Sequence, residues 1–205
     1  MTDTTTQAFN FGDGPVPAHH HRNGGGWVAE TARVSDEAQV SGEAQVFGHA
    51  RVSDEAQVSD EAQVSGHAQV SGHAQVSGHA QVFGHAQVFG HAQVSGHARI
   101  FGHAQVFDEA QVSGEAQVSG EAHIRDRMKV RNQESLIIIS GVGSGANFTV
   151  CANPPTGLVV VGCEAGTWDH ILRLAEKKGV AEEYRLVKAM VEQLTLLREA
   201  RRGSD

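Results

Sequence analysis

The stretch from His67 to Val106, HAQVSGHAQVSGHAQVFGHAQVFGHAQVSGHARIFGHAQV, repeats a six-residue unit without interruption. Valine or isoleucine returns at every sixth position from Val28 to Val130, and alanine stands two residues earlier in all but the first and last units. Side chains alternate between the two faces of a β-strand, so residues two positions apart point to the same side. Because an internal repeat decides the architecture, the six-residue period predicts short strands that share a buried alanine–valine face.

Glycine or aspartate follows the valine by two positions in most units, as at Gly66 and Asp54. Both residue types tolerate the backbone conformations that tight turns require. Each unit is therefore a short strand followed by a bend, and three bends close a triangular coil that contains three units. The eighteen units predict six coils which, stacked roughly 4.8 Å apart, make a rod about 29 Å long.

The repeat resembles the hexapeptide-repeat superfamily over residues 26–131. This resemblance implies a left-handed parallel β-helix; the handedness comes from the resemblance and not from the periodicity. The flanking segments GDGPVPAHHHRNGGGWVAETA (residues 12–32), SGVGSG and GCEAGTWDHILRLAEKKG are similar to hexapeptide-repeat proteins that bacteriophage genomes encode. The closer resemblance implies a phage origin, and with it a location in the host cytoplasm or an association with the virion.

The chain divides into three predicted regions. Residues 1–26, rich in glycine, proline and threonine, are expected to form a flexible N-terminal arm that folds over the first coil, with Trp27 as a plug. Residues 27–131 form the β-helix, and residues 132–205 form a small α+β domain with two C-terminal helices. The run His19-His20-His21 could bind metal weakly, but a solvated arm is the preferred interpretation.

The C-terminal region is predicted from changes in its sequence period. Strands are expected at residues 136–140, 146–152 and 158–163, the last two joined by a hairpin at 153–157. Thr167 begins a helix that ends at Gly179, and a second helix runs from about Ala181 to Arg201. The GVGSG run at 141–145 precedes a strand, so a tight turn is favoured over a phosphate-binding loop, which needs a helix N-terminus.

The second helix has apolar residues at helical spacing, which predicts one apolar face. These residues are Tyr184, Val187, Met190, Val191, Leu194 and Leu197. The domain could therefore cap the last coil or bring subunits together.

Composition excludes several classes of protein. No long apolar run predicts a membrane span, and the N-terminus lacks the pattern of a secretory signal, so a cytoplasmic protein is expected. Cys151 and Cys163 form no disulfide framework. Residues 27–124 hold twelve acidic residues and three arginines, a net charge of −9. This charge argues against nucleic acid binding along the repeat, because affinity for phosphate comes from lysine and arginine.

Positions three units apart stack in such a coil, so the histidines should form three ladders around the middle of the rod. The ladders are His49, His67, His85 and His103; His73 and His91; and His79 and His97. Glutamate takes the same position toward both ends, and ion pairs of Glu55 with His73 and of Glu109 with His91 are expected.

The histidine band at His67, His73, His79, His85, His91, His97 and His103 is interpreted as a pH-sensitive surface, since histidine ordinarily titrates between pH 5 and 8. Zinc sites need three or four converging ligands, and a straight ladder offers two, so no functional metal site is predicted. No histidine differs from its copies, although a general base needs a distinctive pocket and a positioned partner. No catalytic residue and no cofactor are therefore predicted.

The phenylalanines break the symmetry of the repeat because they occupy an outward position on only two sides of the coil. They form columns at Phe47, Phe83 and Phe101 on one side and at Phe89 and Phe107 on the next, whereas the third side carries serine. Exposed apolar columns favour an interface, and the superfamily favours trimers. These residues are therefore the predicted interface of a homotrimer.

The sequence thus predicts a non-enzymatic scaffold that presents its terminal domain to a protein partner not identifiable from the sequence. One alternative is an acidic decoy that mimics nucleic acid and binds a host protein through Asp-Glu pairs. These pairs lie at residues 36–37, 54–55, 60–61 and 108–109. The other alternative is an acyltransferase-like enzyme, a class that the superfamily contains.

Overall fold

The chain winds through short parallel strands into a β-solenoid of about six coils. The structure, a computed structural model, describes residues 6–132, 137–142, 148–153, 158–161 and 164–202. Strands of successive coils pair in register at a spacing of three repeat units, as Gln69 with Gln87 and Val70 with Val88. The predicted fold class is confirmed, while the left-handed sense of the coil stays a prediction.

The elements alternate among three solenoid sheets before the chain leaves the repeat. The strands are β1 (Gln7–Asn10), β2 (Pro15–His20), β3 (Trp27–Ala29), β4 (Arg33–Val34), β5 (Gln39–Val40), β6 (Gln45–Val46), β7 (Arg51–Val52), β8 (Gln57–Val58), β9 (Gln63–Val64), β10 (Gln69–Val70), β11 (Gln75–Val76), β12 (Gln81–Val82), β13 (Gln87–Val88), β14 (Gln93–Val94), β15 (Arg99–Ile100), β16 (Gln105–Val106), β17 (Gln111–Val112), β18 (Gln117–Val118), β19 (His123–Ile124), β20 (Lys129–Val130), β21 (Ile137–Val142), β22 (Phe148–Asn153), β23 (Leu158–Val161) and β24 (Glu164–Gly166). The helices are α1 (Trp168–Lys178) and α2 (Ala181–Arg202).

Each side of the triangular coil is one sheet. The first sheet has the order β1-β2-β3-β6-β9-β12-β15-β18, the second β4-β7-β10-β13-β16-β19, and the third β5-β8-β11-β14-β17-β20. Backbone groups are paired from coil to coil: the Gln69 amide donates to the Ala86 carbonyl at 2.9 Å, and the His67 amide at the corner donates to the Gly84 carbonyl at 2.7 Å. The backbone of the rod therefore meets its own hydrogen-bonding needs, as a stacked coil must.

The interior of the solenoid is built almost entirely from valine and alanine. Val70 and Ala68 are 0% exposed, as are nearly all their copies in the other coils. Fully burying a valine side chain stabilises a fold by roughly 1.5 kcal/mol or more, and here the contribution recurs in every unit. This core agrees with the predicted alanine–valine face.

The corners need a left-handed backbone, and two residue types supply it. Gly78 has φ 68°, and Asp60, in the same corner one coil earlier, has φ 61°. The Asp60 carboxylate accepts a hydrogen bond from the Gly78 backbone amide at 2.9 Å, and Asp54 does the same with Gly72. Aspartate at these corners therefore adds a bond to the next coil that glycine cannot make.

The N-terminal segment forms a β-hairpin, where the sequence suggested a flexible arm. Strands β1 and β2 pair antiparallel, and β2 pairs antiparallel with β3, which extends the first sheet beyond the first coil. Aromatic packing explains the order, since the Trp27 ring lies 4.2 Å from that of Phe9 and 3.9 Å from that of His20. Trp27 pairs in register with Gln45 and so lies on the outer face, not across the coil end as a plug.

Residues 21–26 cover the edge of the third sheet. The Val40 amide donates to the Asn23 carbonyl at 3.0 Å, and the Gly26 amide donates to the Val40 carbonyl at 2.8 Å. The Asn23 side chain also donates to the Ala38 carbonyl at 3.0 Å. The N-terminal region thus caps two of the three sheets.

A four-stranded antiparallel sheet, β21-β22-β23-β24, caps the other end of the solenoid. Because side chains alternate along a strand, Cys151 and Val160 join the solenoid core, whereas Ala152, Val159 and Val161 face α1 and α2. Helix α1 begins after Thr167 and ends at Gly179, as predicted, with Gly179 at φ 73°.

Part of the predicted C-terminal organisation lies outside the described residues. This holds for Cys163, for residues 154–157 of the expected hairpin, for residues 143–145 of the expected turn and for residues 146–147 of the strand expected after it, whereas Gly141 belongs to β21. None of the helices among the described residues is long and apolar enough to cross a membrane.

Candidate functional site

The outward positions of the solenoid place the histidine rings one above another. Ring centroids are 5.2 Å apart for His49 and His67, 5.0 Å for His67 and His85, and 5.0 Å for His85 and His103. The other two stacks, His73 with His91 and His79 with His97, have centroid distances of 4.9 and 4.7 Å. Positions three units apart therefore stack, because successive strands pair at that register.

These histidine stacks do not form a converging set of ligands. The rings lie within 19° of parallel and about 5 Å apart, so their nitrogen lone pairs, which lie in the ring planes, do not converge within a stack. Zinc requires ligands that converge on one point. Among the residues that the structure describes, no group of three or more histidine, cysteine, aspartate or glutamate side chains could hold a metal ion.

The acidic residues of the repeat have local partners. His73 lies 3.3 Å from Glu55 and His79 lies 3.2 Å from Glu61. The predicted pair of Glu109 with His91 is wrong, because Glu109 instead accepts a hydrogen bond from Arg127 at 3.1 Å. Arginine outcompetes a histidine at this position, since its planar guanidinium is always charged.

The phenylalanine columns are half-buried, and part of their cover comes from the chain itself. Ring centroids are 5.1 Å apart for Phe83 and Phe101 and 4.9 Å apart for Phe89 and Phe107. Phe47 stacks at 4.9 Å on Phe11 of the N-terminal segment.

Two arginines add to this cover. The Arg99 guanidinium lies over both Phe83 and Phe101, at 5.3 and 5.8 Å from the ring centroids, and Arg125 lies 5.9 Å from the centroid of Phe107. An arginine over an aromatic ring is attracted by the ring's negative face. Sequence reasoning missed these contacts, although Arg99 stands directly before Ile100 beside the column. The predicted interface at the phenylalanine columns stays a prediction.

Helix α2 carries an exposed apolar stripe, which we define as Leu186, Met190, Leu194 and Leu197. Their exposed fractions are 70, 52, 37 and 51%, and the neighbouring Leu196 is 58% exposed. Among the described residues only one other large apolar side chain, Val16 at 41%, is comparably exposed. This concentration on one helix is the clearest apolar surface of the described chain.

The predicted single apolar face of α2 is therefore divided between two surroundings. Tyr184, Val187 and Val191 are buried in the C-terminal core, whereas Met190 and Leu194 point to solvent. The apolar residues of α2, with Leu186 and Leu196 included, extend around more than half of the helix, so the chain itself covers only part of them. Leu186 and Leu196, which lie outside the predicted face, were the sequence signal for this wider apolar surface.

The three N-terminal histidines each hold the hairpin in place. His19 Nδ1 lies 2.7 Å from the Glu30 carboxylate, His20 Nδ1 lies 2.6 Å from the Gly25 carbonyl, and His21 Nε2 lies 3.0 Å from the Ala38 carbonyl. Burial lowers the pKa of His21, and the hydrogen bond from His19 lowers the pKa of Glu30. The prediction that the histidine run is solvated is therefore wrong, because each of the three rings contacts a group of the chain.

The stacked coils define the class of the chain, a β-helix repeat protein, and one comparison agrees. A family model described as YdcK Beta solenoid repeat matches residues 44–60 and 92–108. No curated protein and no solved structure matches the chain. The family match falls entirely within the repeat, so it supports the solenoid and gives no information on the terminal regions.

Proposed function

We propose that the chain is a non-enzymatic scaffold, a homotrimeric β-solenoid rod that presents its C-terminal unit to a protein partner. The observation that carries this proposal is the exposed apolar stripe of α2. The other side of the same helix packs through Tyr184 and Val191 onto the sheet that caps the rod. The stripe is therefore held at a fixed place on a rigid body, as a binding surface should be.

The regularity of the solenoid supports a structural role over catalysis. Most outward positions are repeated from coil to coil, and the two grooves described along the rod are open to solvent. A catalytic site needs a base oriented by a second group within a pocket that excludes water. An acyltransferase-like activity remains the alternative, and it requires one histidine whose replacement abolishes activity while its copies tolerate change.

Trimer formation is assigned to the two sheets that carry the phenylalanine columns. These half-buried rings would be completely covered if the same sheets of neighbouring copies met around a three-fold axis. The third sheet carries serine at the equivalent positions Ser59, Ser77, Ser95 and Ser113 and would face solvent.

The acidic decoy is less well supported than the scaffold. Carboxylates of the Asp-Glu pairs are engaged within the chain: Asp36 pairs with Arg22, Glu55 with His73, and Asp60 with the backbone of the next coil. A decoy would lose its partner when the pairs are changed to Asn-Gln, whereas the scaffold would keep it.

Phage origin is part of the proposal and rests on the resemblance of the flanking segments. It places the protein in the host cytoplasm or on the virion. Mass spectrometry of purified virions would separate the two locations.

Two matched variants test the scaffold proposal in the full chain. Changing Phe83, Phe89, Phe101 and Phe107 to serine should reduce the mass measured by light scattering from three chains to one. Changing the α2 stripe to serine should leave the mass at three chains and abolish capture of a partner that the unaltered chain retains from host extract. Loss of the trimer in the stripe variant would make the stripe a self-interface and contradict the assignment. Circular dichroism serves as the control for folding of both variants.

A further inference from the structure

Two arginines of the solenoid stand on neighbouring coils at one position of the second sheet. Arg33 and Arg51 pair in register, and the next strand in the sheet carries Gln69 at the same position. Like charges directly opposite each other on paired strands are destabilising, so the pair costs stability. Glutamine takes this position in most other coils, which shows that the fold does not need arginine there.

Other arginines of the rod form ion pairs, Arg125 with Asp126 and Arg127 with Glu109. Residues 27–124 carry a net charge of −9, yet in the described part of the chain no carboxylate forms an ion pair with Arg33 or Arg51. Arg99, the third arginine of residues 27–124, lies over the phenylalanine rings at 5.3 and 5.8 Å. The arginine pair is therefore an unneutralised positive site on an acidic rod.

A groove of about 440 Å³ runs beside these arginines, and we call it the arginine trough. One side is formed by Arg33, Arg51 and Gln69, the other by Ser35, Ser53 and Ser71, with Val34, Val52 and Val70 between them. Asp54 lies at the rim, where its carboxylate accepts a hydrogen bond from the Gly72 amide at 2.9 Å. Two arginines and three serines, all potential hydrogen-bond donors, therefore line the same groove.

We propose that the arginine trough binds a phosphate monoester group. A doubly charged tetrahedral anion neutralises both guanidinium groups, and the planar fork of arginine matches two phosphate oxygens at once. Serine hydroxyls across the trough donate to the remaining oxygens. The hydroxyl of Ser35 donates to the Asp54 backbone carbonyl at 3.5 Å, a long and therefore weak hydrogen bond that a phosphate oxygen would replace.

The trough lies on the second sheet, one of the two sheets assigned to the trimer, but in other coils than the phenylalanine column. The trough occupies the first three coils of the second sheet, on β4, β7 and β10. The phenylalanine column of that sheet, Phe89 and Phe107, follows β13 and β16 in the next two coils. The arginine variants change no phenylalanine and the phenylalanine variants change no arginine, so phosphate binding and trimer formation are tested by different substitutions.

Calorimetric titration of the full chain with inorganic phosphate at constant ionic strength tests the proposal. We expect one phosphate per chain, and Arg33→Gln or Arg51→Gln should weaken binding about tenfold, the loss of one charge-assisted contact. The double variant should show no measurable binding. Arg99→Gln is the matched control and should bind phosphate like the unaltered chain. Thermal unfolding of all four variants well above the temperature of the titration excludes unfolding as the cause.

A gain-of-function variant tests whether an arginine pair is sufficient for phosphate binding, whereas the loss variants test whether it is necessary. Gln57 and Gln75 pair in register on the third sheet, which has the same backbone and serines but no arginine. Changing both to arginine in the double-loss background should restore phosphate binding. Acetate at the same ionic strength should bind at least tenfold more weakly than phosphate. Unchanged phosphate binding in the Arg33/Arg51 double variant, no binding by the unaltered chain, or equal binding of acetate would each overturn the proposal.

Discussion

Replacing Gly96 by alanine tests how closely successive coils approach at the corners. Gly96 has φ +69°, and an added Cβ would lie 2.9 Å from the Gly114 amide nitrogen and 3.1 Å from its carbonyl oxygen. Gly120 offers a matched control: its φ is +67°, but none of the described residues lies within 4 Å of an added Cβ. Both variants bear the cost of a left-handed backbone, and only Gly96→Ala adds a collision with backbone of the next coil.

The two costs can be estimated separately. A left-handed conformation costs an alanine about 1–2 kcal/mol, which is the whole effect expected for Gly120→Ala. Overpacking against atoms that cannot turn away costs about 1–3 kcal/mol more, so Gly96→Ala should lose about 2–5 kcal/mol. Neither neighbouring group in Gly114 is a flexible side chain, so the coil itself must shift.

Urea unfolding followed by far-ultraviolet circular dichroism measures the difference. The midpoint should fall for both variants and fall further for Gly96→Ala, with a similar slope. Equal midpoints for the two variants would refute the close approach of coils as a source of the glycine requirement. A larger loss at Gly120 would refute it as well.

Three further outcomes are expected. Asp60→Ala should lower the free energy of unfolding by about 1–2 kcal/mol for alanine in a left-handed conformation and by about 0.5–1.5 kcal/mol for the lost hydrogen bond from the Gly78 amide. Asp60→Gly should lose only the hydrogen bond. Urea midpoints that rank the two variants the other way would contradict this. Burial lowers the pKa of His21, so as the pH falls the unfolded segment takes up a proton before the folded one does. The hairpin should therefore be fully stable above about pH 6.5 and lose stability below it. Protection of the hairpin amides from hydrogen exchange at pH 7.5 and 5 checks this, and a pH effect that persists in His21→Asn would disprove it. Burial raises the pKa of Cys151 to about 11. In a Cys163→Ser background, the Cys151 thiol should therefore react with iodoacetamide at pH 8 about a hundredfold more slowly in the folded chain than in urea. Similar rates in the two conditions would show that the C-terminal sheet does not cover Cys151.

The solenoid could be predicted because the residue pattern that determines its strands and corners recurs in nearly every unit of the sequence. Valine and alanine two positions apart fix the buried face, and glycine or aspartate fixes the corner, in nearly every unit. A single departure, such as Met128 in place of alanine, does not disturb the pattern. Repetition also places side chains three units apart next to each other, so the stacking of His67 on His85 followed directly from the period.

The ends of the rod could not be predicted in the same way, because each contact there occurs once. Nothing in the period indicates that Trp27 lies between Phe9 and His20, or that His21 reaches the Ala38 carbonyl. The exposed stripe of α2 was missed for a different reason. A helix with apolar residues on more than one face does not reveal from its sequence which face finds a partner within the chain.

The triangular coil links the number of repeat units both to the length of the rod and to the relative orientation of its two ends. Because three six-residue units complete one turn, removal of three consecutive units would shorten the rod by one step and leave both end caps facing the same way. Removal of a single unit would turn the C-terminal cap by a third of a revolution relative to the N-terminal hairpin. Evolution by gain or loss of units can thus set both the length of the rod and the direction in which α2 points, without altering any residue of either end.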